Sequence, residues 1–564
     1  MAEPDKNGPT TAAEAAPLDP NRWKALVVVL VAPFMGAFDV FVVNVAIPTM
    51  QRDLHATFAQ LEFVITLYSL AYAAALVTCG RLGDIHGRKR LLTFGMAGFV
   101  ASSAACGLAP DVRILIVARV LQGLSAAMMT PQVLSMIQVD FPLHERSRAL
   151  SWYGAVLGFA AVAALSCGGL LVRSDIFGLS WRAIFLVNVP IGGLALVLAS
   201  RWLRDSRAPH AKRLDLGGVV LLATALFLLI YPLVQGREAH WPAWSWCCLA
   251  GSAIALASFV LYERRVAERG GFPLVVLALF RQRAFSAGLT IWLLSGIVTA
   301  ALFFILSLYL QLGLRYSALA AGVAVVPTSV GFFLGSLVSG NLAVRFGGRL
   351  TVASLVVRAC MAVAVGLILV RADTTLPTAM VAPLLFLDGL SAALTTVPLI
   401  GITLRGIPMR DAGSAAGVFT TVTQVASALG IALIGVIFFG SLGTRAHEIA
   451  DDVGRELTGE LVMRTADPRE AAAVVADFRR CVEDRARIMG SASAKPLSCD
   501  ARSLADADAS SGGAVTRSFQ RSSARDYGWA YLLAAIFNAA ATIAATIVAL
   551  VALPRAAHAP LRES

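Results

Sequence analysis

Charge is scarce in this chain. Only 15% of its 564 residues are Asp, Glu, Lys or Arg, against about 25% in ordinary soluble domains, which excludes an ordinary soluble globular protein. Metal-ligand spacing is missing as well. The chain has eight cysteines and seven histidines, but none falls in the paired Cys/His pattern of a zinc site. No G-x-x-x-x-G-K-[S/T] stretch occurs, so an ATP-driven pump would lack its phosphate loop. Neither H-E-x-x-H nor G-x-S-x-G is present, which removes the catalytic clusters an intramembrane enzyme would need. The chain is therefore expected not to be an enzyme and to carry no cofactor. Met1 to Asn21 is polar, without a basic start, a short apolar run and a small-residue cleavage site. A cleaved signal peptide is not expected, and the first helix is expected to be retained.

What fills the chain is apolar sequence, 57% of all residues. A helix needs about 20 apolar residues to cross a bilayer. Roughly 14 segments reach that length, near 23–48, 61–79, 91–109, 113–136, 151–171, 183–203, 215–235, 244–262, 285–310, 318–342, 350–370, 378–404, 414–440 and 527–553. The expectation is an all-α polytopic protein of the cell membrane, with the lipid bilayer as its surroundings.

The net charge of +12 does not point to nucleic acid. Lys and Arg collect in short loops after even-numbered segments: Arg81, Arg88, Lys89 and Arg90, then Arg146 and Arg148, Arg201 to Arg213, and Arg264 to Arg283. Short loops after odd-numbered segments hold far fewer. Cytoplasmic loops carry the basic excess, so both termini are expected in the cytoplasm. The exception is the polar loop 444–526, expected outside, because long loops cross largely regardless of charge. It reads as poor in large apolar residues, with an amphipathic helix at 467–488 and a Ser/Ala/Asp/Gly-rich remainder. Its two cysteines, Cys481 and Cys499, would be free to form a disulfide in an oxidising exterior; two free thiols is the alternative.

Ionisable residues inside apolar segments are costly and are functional candidates. Asp39 lies in the first segment, Arg119 in the fourth and Asp388 in the twelfth. Arg119, Gln122 and Gly123 share one helix face by their spacing. A buried arginine needs an acidic or carbonyl partner. Asp388 would bind a cation, carry a proton, or pair with Arg358. The ends of the second and tenth segments also repeat: at a shift of 260, Gly80 meets Gly340, Leu82 meets Leu342, Gly87 meets Gly347 and Lys89 meets Arg349. Repeated halves with a site between them are a common plan of secondary transporters.

These residues resemble the major facilitator superfamily, in its 14-helix drug:proton antiporter branch. Gly80-Arg81-Leu82-Gly83-Asp84-Ile85-His86-Gly87-Arg88 is similar to the cytoplasmic signature between helices two and three. Asp39 to Pro48, with Asn44 inside it and Phe41 where Thr is usual, is similar to the first-helix motif of drug exporters. Arg119-Val120-Leu121-Gln122-Gly123 is similar to their fourth-helix motif, and Trp181 to Gly192 closely resembles the opening of their helix six. Helix five departs from the pattern: Gly168-Gly169 is present and the Gly-Pro dipeptide is not.

The resemblance implies two six-helix bundles plus two additional helices. The bundles would be 22–205 and 266–553, with the linking helices at 206–265 and polar tails at 1–21 and 554–564. It implies efflux of drug-like or amphipathic small molecules in exchange for protons, by alternating access. The absent Gly-Pro leaves a non-antiport transporter as an alternative, and a dedicated exporter of a secondary metabolite or siderophore is another. Asp39 and Arg119 are implied in proton coupling. Gly80, Gly83, Asp84, Gly87 and Arg88 are implied in gating. Phe38, Asn44, Tyr72, Gln122, Trp292, Asp388 and Gln424 are candidates for the substrate cavity, and the face of Gly417, Thr420, Gln424 and Ser427 is a further one. An envelope partner is left open.

Overall fold

The computed structural model describes residues 20–552 apart from 57, 175–177, 208–213, 237–240, 373, 409–410, 463–467, 489–498 and 500–512. Among the described residues the regular structure is helical. The helices are α1 (Arg22–Asp53), α2 (Phe58–His86), α3 (Arg88–Gly107), α4 (Val112–Asp140), α5 (Leu143–Ser174), α6 (Ala183–Leu186), α7 (Asn188–Trp202), α8 (Leu216–Gln235) and α9 (Ala243–Glu268). They continue as α10 (Arg283–Leu308), α11 (Ala318–Phe346), α12 (Gly348–Arg371), α13 (Thr378–Thr403), α14 (Ala412–Ser441), α15 (Ala446–Val462) and α16 (Pro468–Ile488). The last, Ala514–Ala552, is here α17.

Twelve helical stretches are long and apolar enough to cross a membrane. Two further helices, α3 and α5, are diluted by Gly, Ser and charged ends, yet α3 packs along α4 and α5 along α1 and α11. With them, every apolar segment read from the sequence is a helix. The sixth is not continuous: a single 3-10 turn, Ser180–Arg182, leads into the short α6, which hands over to α7 at Val187.

The internal repeat is visible in the backbone. The α2–α3 junction turns at Gly87 with φ +109°, and the α11–α12 junction turns at Gly347 with φ +55°. Both values lie where L-residues with a Cβ are strained, which is why glycine recurs there. Close crossings also repeat. A Cβ on Gly123 would lie 2.4 Å from the Tyr68 carbonyl oxygen, and one on Gly389 would lie 1.9 Å from that of Thr328. Tyr68 and Thr328 are 260 positions apart, the same shift as Gly87 and Gly347.

Helices α1–α7 meet α10–α17 along two main crossings, α2 on α14 and α5 on α11. Helix α8 packs on α9 and also touches α2 and α14. Buried Glu263 of α9 accepts from the Leu274 and Val275 amides at 3.3 and 3.4 Å. The Ser414 hydroxyl on α14 donates to the Leu274 carbonyl at 3.1 Å. The linking helices are thereby tied to the first turn of α14.

The polar loop differs from its sequence reading. It builds a core of its own. Ile449, Val453, Leu457 and Leu461 recur every four residues on α15, and Val474, Val475, Phe478 and Val482 face them from α16. The third wall is Ala514, Val515 and Phe519, because the last helix starts at Ala514 rather than near 527. Composition hid this: few large apolar residues suffice when helical spacing gathers them on one face. Cys481 and Cys499 are joined.

Candidate functional site

The site grows from one carboxylate without water. Asp39, on the middle of α1, is fully buried. Taking it out of water must be offset by a partner with several hydrogen bonds. Arg119 of α4, itself 1% exposed, supplies the charge: Nη1 donates to Asp39 Oδ2. Gln122, one turn along α4, closes the triangle. Its Oε1 accepts from Arg119 Nη1 at 2.6 Å, and its Nε2 donates to Asp39 Oδ1 at 3.0 Å and to Ser103 Oγ of α3 at 2.7 Å. Arg119 Nε donates to the Val64 carbonyl of α2 at 3.1 Å. The guanidinium carbon lies 4.1 Å from the centre of the Tyr68 ring and 5.7 Å from that of Phe185. Asn188, the first residue of α7, donates to Ser103 Oγ at 3.5 Å.

Both oxygens of Asp39 are thus bonded, and α1, α2, α3, α4 and α7 meet at one point. Removing one partner of such a pair leaves a buried charge alone, which costs roughly 3–5 kcal/mol. The charge on Asp39 holds Arg119, so the ion pair and the packing of these five elements support each other.

A second polar centre lies at the end of the molecule where α1 begins and α17 ends. Asp84 of α2, fully buried, receives Arg88 Nη2 at 2.7 Å. It also accepts from the Gly413 and Ser414 amides of α14, each at 3.3 Å. Those are among the orphan N–H groups of the first turn of α14, where an anion is favoured. Gly80 permits the approach: a Cβ there would lie 2.4 Å from the Gly413 carbonyl oxygen. Gly83 leaves room for Gln132, and Gly87 for Asp205. At the same end Gln138 Nε2 donates to the Leu404 carbonyl at 3.2 Å, and Arg22 forks onto Glu145 with two bonds of 2.8 Å.

At the opposite end, buried Trp181 donates Nε1 to Asp53 Oδ2 at 2.8 Å, and Arg182 pairs with the same carboxylate. The hydrogen bond from Arg182 holds the Asp53 carboxyl below its usual range. This is the local structure of the Trp181-Arg182 pair that opens the sixth segment.

Of the sequence-based cavity residues, Tyr72 and Trp292 pack against the same apolar cluster. Phe38 is buried and stacks on Phe34 at 5.8 Å. Tyr72 donates to Thr130 at 3.0 Å. Trp292 donates to Thr423 at 2.8 Å and lies against Phe419, ring centres 4.4 Å apart. Gln122 belongs to the Asp39 network, and Gln424 is half-buried on α14. Asp388 pairs with Arg358. Gly417 packs on Leu76 and Val77 of α2, and Thr420 is buried, bonded to its own helix. The side chain of Asn44 lies outside the described part. Ser103, Asn188 and the placement of Tyr68 beneath Arg119 were missed, although Asn188 stands within the Trp181–Gly192 stretch.

Comparison with known proteins agrees with this geometry. Residues 29–431 match the sequence profile of the Major Facilitator Superfamily. The chain is 36% identical over 483 residues to the "Probable actinorhodin transporter" of Streptomyces coelicolor, covering 86% of this chain and 84% of that protein. It is 34% identical to the "Tetracenomycin C resistance and export protein" of Streptomyces glaucescens, over 82% of each. Among solved structures, the proton:xylose symporter XylE bound to 6-bromo-6-deoxy-D-glucose superposes with a TM-score of 0.54 at 14% identity, over 76% of this chain and 90% of that one, a likeness of fold. A helical membrane protein with this repeat, these buried charges and these relatives belongs to the major facilitator superfamily.

Proposed function

We propose that this protein is a secondary active exporter that moves drug-like or antibiotic small molecules across the cytoplasmic membrane in exchange for protons. The observation that carries the reading is the Asp39–Arg119–Gln122 network, a buried carboxylate whose charge state is tied to the packing of five helical elements. In the reading, bundles 22–205 and 266–553 rock about the two crossings. Asp84 and Arg88, with Gly80, Gly83 and Gly87, lock the cytoplasmic side when it is closed. The basic residues after even-numbered helices support placing both termini in the cytoplasm. Small-molecule export is supported by the relatives named for actinorhodin and tetracenomycin C. Those names, each tied to one compound, also favour a second reading: a dedicated exporter of one natural product.

The test is proton-driven uptake by inside-out vesicles of a panel holding unrelated cationic dyes, actinorhodin and tetracenomycin C. Asp39→Asn is expected to abolish proton-driven uptake at unchanged expression. Wild-type uptake in that variant would remove Asp39 from coupling. Arg119→Lys is expected to be nearly as damaging as Arg119→Ala, since lysine lacks the planar fork. Uptake of a single compound would select the dedicated exporter.

A further inference from the structure

The repeat carries a second buried ion pair. With the shift of 260 that relates α2 to α11, the position of Asp39 becomes Thr299 on α10. Along α4 and α13 the crossing glycines Gly123 and Gly389 give the register, so Leu121-Gln122-Gly123 matches Leu387-Asp388-Gly389. The acid has therefore moved from the first helix of one half to the fourth of the other. The arginine has moved too: the position of Arg119 is taken by buried Leu385, and the cation comes from Arg358 on α12. Arg358 Nε donates to Asp388 Oδ1 at 3.4 Å, and its Nη2 donates to Thr299 Oγ1 at 3.1 Å. The helices that build the Asp39 site recur here as a polar cluster with the charges exchanged between them.

The two clusters differ in how far they are satisfied. Asp39 is bonded at both oxygens, to Arg119 and to Gln122. Asp388, 5% exposed, has one bond of 3.4 Å, longer than the 2.7–2.9 Å usual for a charge-assisted bond. Buried polar groups without partners occur on α11, which packs on α13, and on α17, which packs on α12. Tyr531 of α17 is fully buried and within electrostatic reach of Asp388, and its hydroxyl is unpaired. Asn538, two turns along the same buried face, has neither side-chain atom bonded. Thr328, against Gly389, has an unpaired hydroxyl. Buried polar atoms without partners call for a functional explanation. Among the described residues the charged group paired with Asp388 is Arg358 from α12; the titratable Tyr531 of α17 is the next along, with Tyr309 stacked on it at 5.9 Å. Helices α10 and α11 contribute the uncharged Thr299 and Thr328.

We propose that Asp388, positioned by Arg358 and Thr299, is a second proton-binding carboxylate of the transport cycle, so that each half of the molecule loads its own proton. The proposal rests on the proton-coupled reading given above. In the step, a hydronium ion from the aqueous phase gives its proton to a carboxylate oxygen of Asp388, leaving water. The ion pair with Arg358 opens, and the new carboxyl O–H becomes a donor among groups that lack partners. On the other side of the membrane the proton returns to water and the pair closes.

The experiment is infrared difference spectroscopy of the full chain in lipid nanodiscs across a pH titration, with isotope-labelled aspartate marking the carboxyl C=O stretch. It compares wild type, Asp39→Asn, Asp388→Asn and Asp388→Glu. Both Asp388 variants are expected to lose one aspartate's share of the titrating band, and Asp39→Asn a different share. The glutamate variant keeps an acid in place, so the result does not depend on the asparagine variant folding. Loss in Asp39→Asn alone overturns the second site and leaves the first standing. Loss in the Asp388 variants alone supports the second site and removes Asp39. A band unchanged in every variant overturns both.

Discussion

The α2–α14 and α5–α11 crossings occupy equivalent places in the two halves, and they are closed by different chemistry. At the first, Gly80 lies against Gly413 and Gly417, and Asp84 sits on the first turn of α14 with Arg88 beside it. At the second, Gly154 and Gly158 face Ser336 and Phe333, and the Gly340 amide donates to Ser151 Oγ at 2.9 Å. The position equivalent to Asp84 is Val344, which is 77% exposed and carries no charge to the partner helix. One crossing is locked by a buried carboxylate on a helix N-terminus. The other is small side chains, one hydroxyl and close backbone. A lock that depends on charge has two distinct states, whereas a seam of glycines can slide or pivot at little cost. In the proposed transport cycle, the asymmetry favours α2–α14 as the switching step and α5–α11 as the pivot.

The largest effect that would break this contrast is expected from Asp84→Asn. The side chain keeps its shape and loses the charge that faces α14. Hydrogen bonds to charged groups are each worth roughly 1.5–3 kcal/mol, so the closed state is expected to lose about 2 kcal/mol, near a 30-fold shift in population. Distances between spin labels on the ends of α2 and α14 would report it; unchanged distances would mean that the carboxylate does not hold the lock.

Gly80→Ala comes next. Its Cβ would fall 2.4 Å from a backbone oxygen that has no rotamer to give, so about 1–3 kcal/mol of overpacking is expected. Gly158→Ala meets Phe333 backbone at 2.9 Å and is expected to cost less. Thermal unfolding of the two variants in detergent orders them; a larger loss for Gly158→Ala would reverse the assignment of the tighter seam. The smallest effect is expected from Ser151→Ala, which removes one neutral hydrogen bond across the crossing, worth about 1 kcal/mol, and a local one to the Ser147 carbonyl of its own helix. Its transport rate should stay within a few-fold of wild type in the same vesicles, and a loss as large as that of Asp84→Asn would make the second crossing a lock as well.

Much of this was legible in the chain, for identifiable reasons. The membrane helices announce themselves because about 20 apolar residues in a row have few other uses. Asp39 and Arg119 stand out because charge in such a run is expensive. Asp84 was readable as an acid near a helix end, able to meet the positive end of a neighbouring helix. Ser103 and Asn188 were not readable, since only packing tells which small polar residue joins the buried network. The cavity residues are hard to assign for the same reason: aromatic composition does not say which face a ring occupies. Of the two helices in the 444–526 loop, α16 was read and α15 was not, and their shared core was missed because its third wall belongs to a segment divided between loop and membrane. The four-residue recurrence from Ile449 to Leu461 was the signal that would have found α15.

Helix α17 is 39 residues long, about 58 Å at 1.5 Å per residue, nearly twice the roughly 30 Å of a bilayer core. Its first turns are welded to α15 and α16 through Ala514, Val515 and Phe519, and by ion pairs from Arg521 and Arg525 to Glu456. The rod thus works as a lever whose short arm stands outside the membrane. With an arm of ~20 Å, every 10° of tilt in the bilayer displaces its tip by ~3.5 Å. A fluorophore pair between Val462 and the Asp53 end of α1 would turn any tilt of this rod into a signal read outside the bilayer core.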